Sequence, residues 1–105
     1  MPTYTRAQAE ALLPKVRPLL EDLQRRVASY RRRPTDPVAH EIEALIRDIT
    51  QLGVEVKDPD RGLIDFPTTM RGREVYLCWQ LGEGDRIAFW HELESGFAGR
   101  KIIED

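Results

Sequence analysis

The sequence predicts an α+β domain in which a kinked, antiparallel helical hairpin packs on a small antiparallel β-sheet. Three observations predict it. Apolar residues recur at helical spacing through the first half of the chain. The period falls to two in the second half. A glycine, Gly53, stands where the pattern changes.

The first helix opens at Thr5, with Gln8 completing a capping-box pattern. Ala9, Leu13, Val16, Leu20, Leu23, Val27 and Tyr30 follow in alternating steps of four and three, widened by Leu12 and Leu19. Pro14 and Pro18 interrupt the stripe. Each removes a backbone donor and crowds the preceding turn, which predicts a kink or break near Leu13–Pro14 or a helix restarted at Pro14. Arg31-Arg32-Arg33-Pro34 ends the helix, because Pro34 pushes Arg33 out of the helical region. Thr35 or Asp36 caps a second helix, with Pro37 in its first turn and Val38, Ile42, Leu45, Ile49 and Leu52 as its stripe. Two helices joined by so short a loop are antiparallel neighbours.

Beyond Gly53 come short strands. Val54-Glu55-Val56 is the first, and Asp58-Pro59-Asp60-Arg61-Gly62 is a turn. Leu63–Phe66 is the second strand, ended by Pro67, and Met70-Arg71-Gly72 turns again. The strongest strand signals are residues 75–81 and 86–93, joined through Gly82-Glu83-Gly84-Asp85. Packing favours an odd loop pairing Leu81 with Ile87, Trp79 with Phe89, Leu77 with His91 and Val75 with Leu93. That gathers the apolar residues on one face and leaves Tyr76, Cys78, Gln80, Ala88, Trp90 and Glu92 on the other. The even alternative pairs Leu81 with Arg86 and mixes both faces. A glycine-rich segment, Ser95 to Lys101, ends in Ile102 and Ile103, which add a last short strand or pack on an edge.

The 105 residues make one domain, 1–105, with the hairpin in 1–53 and the sheet and C-terminal loop in 54–105. Hydrophobic residues are 41%, charged residues 32%, and the net charge is −2, which gives no overall pull toward nucleic acid or an anionic membrane. A lone cysteine, Cys78, forms no intramolecular disulfide and fits a reducing compartment. No leader pattern and no spanning apolar run is present, so a cytoplasmic location is expected.

A set of motifs marks a family. Ala11-Leu12-Leu13-Pro14 stands near the N-terminus, and Lys57-Asp58-Pro59-Asp60-Arg61-Gly62-Leu63-Ile64-Asp65-Phe66 is followed by Gly72 and Val75-Tyr76-Leu77-Cys78-Trp79. Gly82-Glu83, Trp90-His91-Glu92 and Gly96-Phe97-Ala98-Gly99-Arg100 complete the set. Over nearly the whole chain this resembles the prokaryotic domain-of-unknown-function family 2203. The resemblance implies a short bacterial or archaeal protein and no particular activity, and it carries over no site residues.

Four constellations bear on chemistry. Asp58, Asp60, Asp65, His91 and Glu92 are candidate ligands of a divalent metal, and Cys78 is a further ligand type, all in the sheet half. His91 and Glu92 are adjacent on a strand and point to opposite faces, and the odd register also separates His91 from Cys78. The plainer reading makes Asp58 and Asp60 turn formers and His91 a hydrogen-bonded histidine at the core edge. Cys78 reads as an inert packed thiol, sharing a face with His91 only in the even register. Arg25, Arg26, Arg31, Arg32 and Arg33 make a basic cluster, but cations complement a helix C-terminus, and Glu21, Asp22, Asp36 and Glu41 dilute them. Nucleic acid is therefore not the expected partner, and neither is a membrane. Trp90, Gly96, Gly99 and Arg100 offer an anion-binding or interaction region through backbone N–H groups and one guanidinium.

The function expected is a non-enzymatic protein-interaction module pairing with itself or another protein. Trp90 and Tyr76 on the second sheet face, or uncovered helix stripe, would supply the surface. No cofactor is predicted. The alternative is a small metal-dependent enzyme or metal- or anion-binding sensor with its site at the sheet end. A concave pocket with convergent polar groups would mark the enzyme, and an exposed apolar patch the module.

Overall fold

The computed structural model describes residues 3–104. Helix α1 (Arg6–Arg32) and helix α2 (Asp36–Gln51) precede five strands: β1 (Glu55–Asp58), β2 (Leu63–Met70), β3 (Arg73–Gln80), β4 (Phe89–Glu92) and β5 (Lys101–Ile102). A 3-10 turn, η1 (Phe97–Gly99), lies between β4 and β5. The strands pair in sequence order, all antiparallel. This is the α+β hairpin-and-sheet architecture that the periodicity predicts.

The caps stand where the sequence places them. Thr5 and Gln8 close a capping box, and the Thr35 side chain accepts from Val38 N. Gly53, at φ +84°, follows the end of α2. The prolines do not break α1, which runs through both as one helix of 27 residues. Pro14 and Pro18 sit four residues apart on its exposed side. The carbonyls they leave without donors belong to Glu10 and Pro14, on the side that faces water.

The opposite side of α1 makes the core. Ala9, Leu13, Val16, Leu20 and Leu23 are buried and pack with Ile49, Val54, Ile64, Phe66, Leu77, Trp79 and Ile87. Pro67 does not end β2, which continues to Met70 with Pro67 opposite Tyr76. Its carbonyl accepts from Tyr4 N, so its backbone faces away from β3, beyond the end of β1. No ladder bond is lost there, and proline is tolerated. Arg71 (φ 52°) and Gly72 (φ 79°) then form a two-residue hairpin turn into β3.

The β3–β4 register overturns the sequence expectation. Tyr76 pairs with His91, Leu77 with Trp90 and Cys78 with Phe89, in phase with the even alternative. The physical reason lies in residues 81–88. This segment does not continue the ladder; α1 and Trp79 hold it instead. Glu10 Oε2 accepts from Ile87 N at 2.7 Å, Arg6 Nε donates to Ile87 O at 2.8 Å, and Trp79 Nε1 donates to Gly84 O at 3.1 Å. Ile87 thus reaches the core from a loop, fully buried, without belonging to β4. The argument for the odd register assumed one buried face. Both faces are covered, and the mixed pattern is satisfied.

Candidate functional site: a buried Asp–Cys–His cluster

The register sorts the sheet. Ile64, Phe66, Leu77, Trp79 and Trp90 take the face toward the helices. Asp65, Cys78, Tyr76, His91 and Phe89 take the other. Asp65, Cys78 and His91 therefore come from three adjacent strands onto one face, at 2%, 1% and 2% exposure. Their donor atoms all lie within 4.8 Å of one another.

The hydrogen bonds define the cluster's chemistry. His91 Nδ1 stands 2.7 Å from the Glu92 carbonyl oxygen, and Nε2 stands 2.9 Å from Asp65 Oδ2. A carbonyl oxygen only accepts, so Nδ1 carries a proton. Nε2 then meets the carboxyl group in one of two forms, an imidazolium on a carboxylate or a lone pair on a protonated carboxyl. Burial pushes the Asp65 carboxyl above its ordinary range, against the hydrogen bond and charge of His91. Burial first, then the Asp65 charge, pushes the Cys78 thiol up to about 12. A thiol raised that far is a poor nucleophile at neutral pH. Among the described residues, Asp65 Oδ1 and Arg100 Nη1 are the buried side-chain polar atoms without a hydrogen-bond partner.

The C-terminal segment lies over this face. Phe97 has the Arg61 guanidinium 4.7 Å from its ring centre and the Arg100 guanidinium at 4.8 Å. Arg100 also lies 3.7 Å from the Phe89 ring centre and pairs with Glu83 at 2.6 Å. Between the segment and the sheet is a cavity of about 160 Å³ lined by Lys57, Asp65, Cys78, His91, Glu94 and Phe97, among others.

The structure brings together only Asp65 and His91 of the five predicted metal ligands. Asp58 and Asp60 stand at the β1–β2 turn, paired with Arg61 and Arg31. Glu92 lies on the helix-side face and pairs with Arg73 and Lys101. Cys78, which the odd register set apart, completes the cluster, and the signal for it was the even register. The proposed pairing of Tyr76 and Trp90 on one surface is also overturned, because they stand on opposite faces. Trp90 lines an open groove of about 840 Å³ with Met70, Arg71, Arg73, Lys101 and Ile102. Its ring is already faced by Lys101 Nζ at 4.9 Å. Of the glycine-rich anion candidate, the N–H groups of Gly99 and Arg100 bond Gly96 O and Phe97 O within the turn.

A family model described as an uncharacterized conserved protein, DUF2203, matches residues 26–103. The chain belongs to this family. The DUF2203 match takes in α2, every strand and the whole Asp65–Cys78–His91 cluster. No curated protein and no solved structure gives a significant match to this DUF2203 member.

Proposed function

We propose that this DUF2203 domain is a non-enzymatic protein-interaction module, and that its α2 face pairs with a second copy of the chain. One observation carries the reading. The α2 stripe is strongly apolar, yet only Ile49 in it is buried. Val38, Ile42, Leu45 and Ile46 are only partly buried, although Ile42, Leu45 and Ile46 pack against the core. Of the strands, β1 lies most closely against α2. The far end of α1 shares this incompleteness, with Val27 half-buried and Tyr30 38% exposed. Apolar residues in steps of four and three fit a helical partner, and a second hairpin of the same chain offers that complement.

The cavity at the polar cluster argues against the enzyme alternative. At about 160 Å³ it falls below the roughly 300–1,000 Å³ of ordinary small-molecule sites. No helix among the described residues is long and apolar enough to cross a membrane, and the single free thiol suits a reducing cytoplasm. Light scattering on the full chain tests the reading. The expected mass is twice the 12.2 kDa of one chain, falling to one chain in Val38→Gln/Ile42→Gln protein of unchanged circular dichroism. A wild-type monomer at high concentration contradicts self-pairing.

A further inference from the structure

The cavity is too small for an ordinary substrate, but the cluster beside it is the size of an ion site. We propose that Asp65, Cys78 and His91 bind one zinc-class divalent cation through a carboxylate oxygen, Sγ and Nε2. The inference is independent of the self-pairing above.

Four features of the cluster support it. The ligand types are the first. Thiolate, imidazole and carboxylate together suit zinc and its borderline-soft neighbours, whereas calcium and magnesium take oxygen donors. Geometry is the second. Donor atoms on a tetrahedral zinc stand roughly 3.3–3.8 Å apart, from bond lengths of about 2.0–2.3 Å. Here one pair stands at 2.9 Å and none exceeds 4.8 Å. Loading thus requires opening the Asp65–His91 contact and drawing in the more distant donors, shifts of about an ångström that rotamer adjustment supplies. The third feature is the second hydrogen bond of His91. Its Nδ1–H is fixed on the Glu92 carbonyl at 2.7 Å, which aims Nε2 into the cluster. That is the usual outer support of a metal-bound histidine.

The fourth feature points to a missing partner. Asp65 is 2% exposed, its Oδ1 makes no hydrogen bond of sound geometry, and beyond His91 the carboxyl has only the weakly donating Cys78 thiol beside it. A buried carboxylate oxygen left without a partner is costly, and a cation at this position satisfies it. Binding expels the Cys78 thiol proton and the proton held between Asp65 and His91, so two anionic ligands neutralise a divalent charge. The cavity that all three residues line, about 160 Å³, has room for a water molecule as a fourth ligand.

The test uses the full chain, stripped with a chelator and titrated with cobalt(II), then zinc(II). The expected result is one cobalt per chain with a thiolate-to-cobalt charge-transfer band, bleached by zinc. Cys78→Ser should lose that band and bind at least about tenfold more weakly. Nitrogen-15 NMR of the wild-type imidazoles provides a reading that needs no variant. Zinc should move His91 Nε2 and leave exposed His40, the other histidine of the sequence, where it was. Cobalt binding without the charge-transfer band, unchanged affinity in a folded Cys78→Ser protein, or a shift at His40 alone would each overturn the site.

Discussion

On the helix-covered face of the sheet, Ile64, Phe66, Leu77 and Trp79 are exposed by 2% or less and join one apolar cluster. On the opposite face Asp65, Cys78 and His91 are buried to the same degree, beneath a short C-terminal segment rather than two helices. Equal burial thus serves different ends. The first face gains stability from apolar area removed from water. The second face removes a carboxyl group, an imidazole and a thiol from water, and gains only as much as their mutual contacts return. A sheet with one polar buried face keeps groups that stability alone does not require.

Substitutions on the two faces should therefore differ in size and kind. Phe66→Ala opens a cavity in the closed apolar core and should cost about 3–5 kcal/mol by denaturant unfolding. A loss under about 1 kcal/mol would mean that the helix-side face is loosely packed. His91→Ala should cost less, about 1–3 kcal/mol, because it leaves Asp65 buried without its partner. If it matched Phe66→Ala, the second face would be a load-carrying core like the first.

The rim of the second face offers a smaller, pH-dependent effect. Burial alone would raise the Glu55 carboxyl, but hydrogen bonds from Lys57 and Tyr76 outweigh it and hold the group below its ordinary 4.5. A depressed pKa contributes stability above 4.5 that is lost as pH falls through the lowered folded value. Tyr76 Oη donates to Glu55 Oε2 at 2.7 Å. Tyr76→Phe should therefore cost about 1 kcal/mol at neutral pH, discounted for partial exposure. The gap from wild type should close in acid, below the ordinary Glu55 value of 4.5. A gap that widens in acid would contradict the pairing. The smallest effect is expected at the cover. Phe97 is 39% exposed, and Phe97→Ala should cost about 1 kcal/mol or less, while amide exchange quickens in residues 94–100 and not in α1.

Much of the fold was legible because local rules acted alone. Thr5, Thr35 and Gly53 mark helix ends by capping chemistry, and the stripe from Ala9 to Leu23 is the buried side of α1. The site was legible only in part. Asp65 and His91 are recognisable as ligand types, but their meeting with Cys78 depends on the β3–β4 register. That register goes with Glu10, Arg6 and Trp79 holding residues 84–87, and the Glu10 and Arg6 contacts join distant parts of the chain that no local pattern encodes. The covering of the second face by Phe97 and Arg100 is likewise tertiary.

The sidedness of His91 carries the whole comparison, and proton NMR reads it directly. Nuclear Overhauser contacts from the His91 ring to the Tyr76 ring, whose centre is 5.4 Å away, and to the Cys78 side chain are the expected result. Contacts from that ring to Leu77 and Val75 instead would restore the odd register, separate His91 from Cys78 and remove the buried polar face.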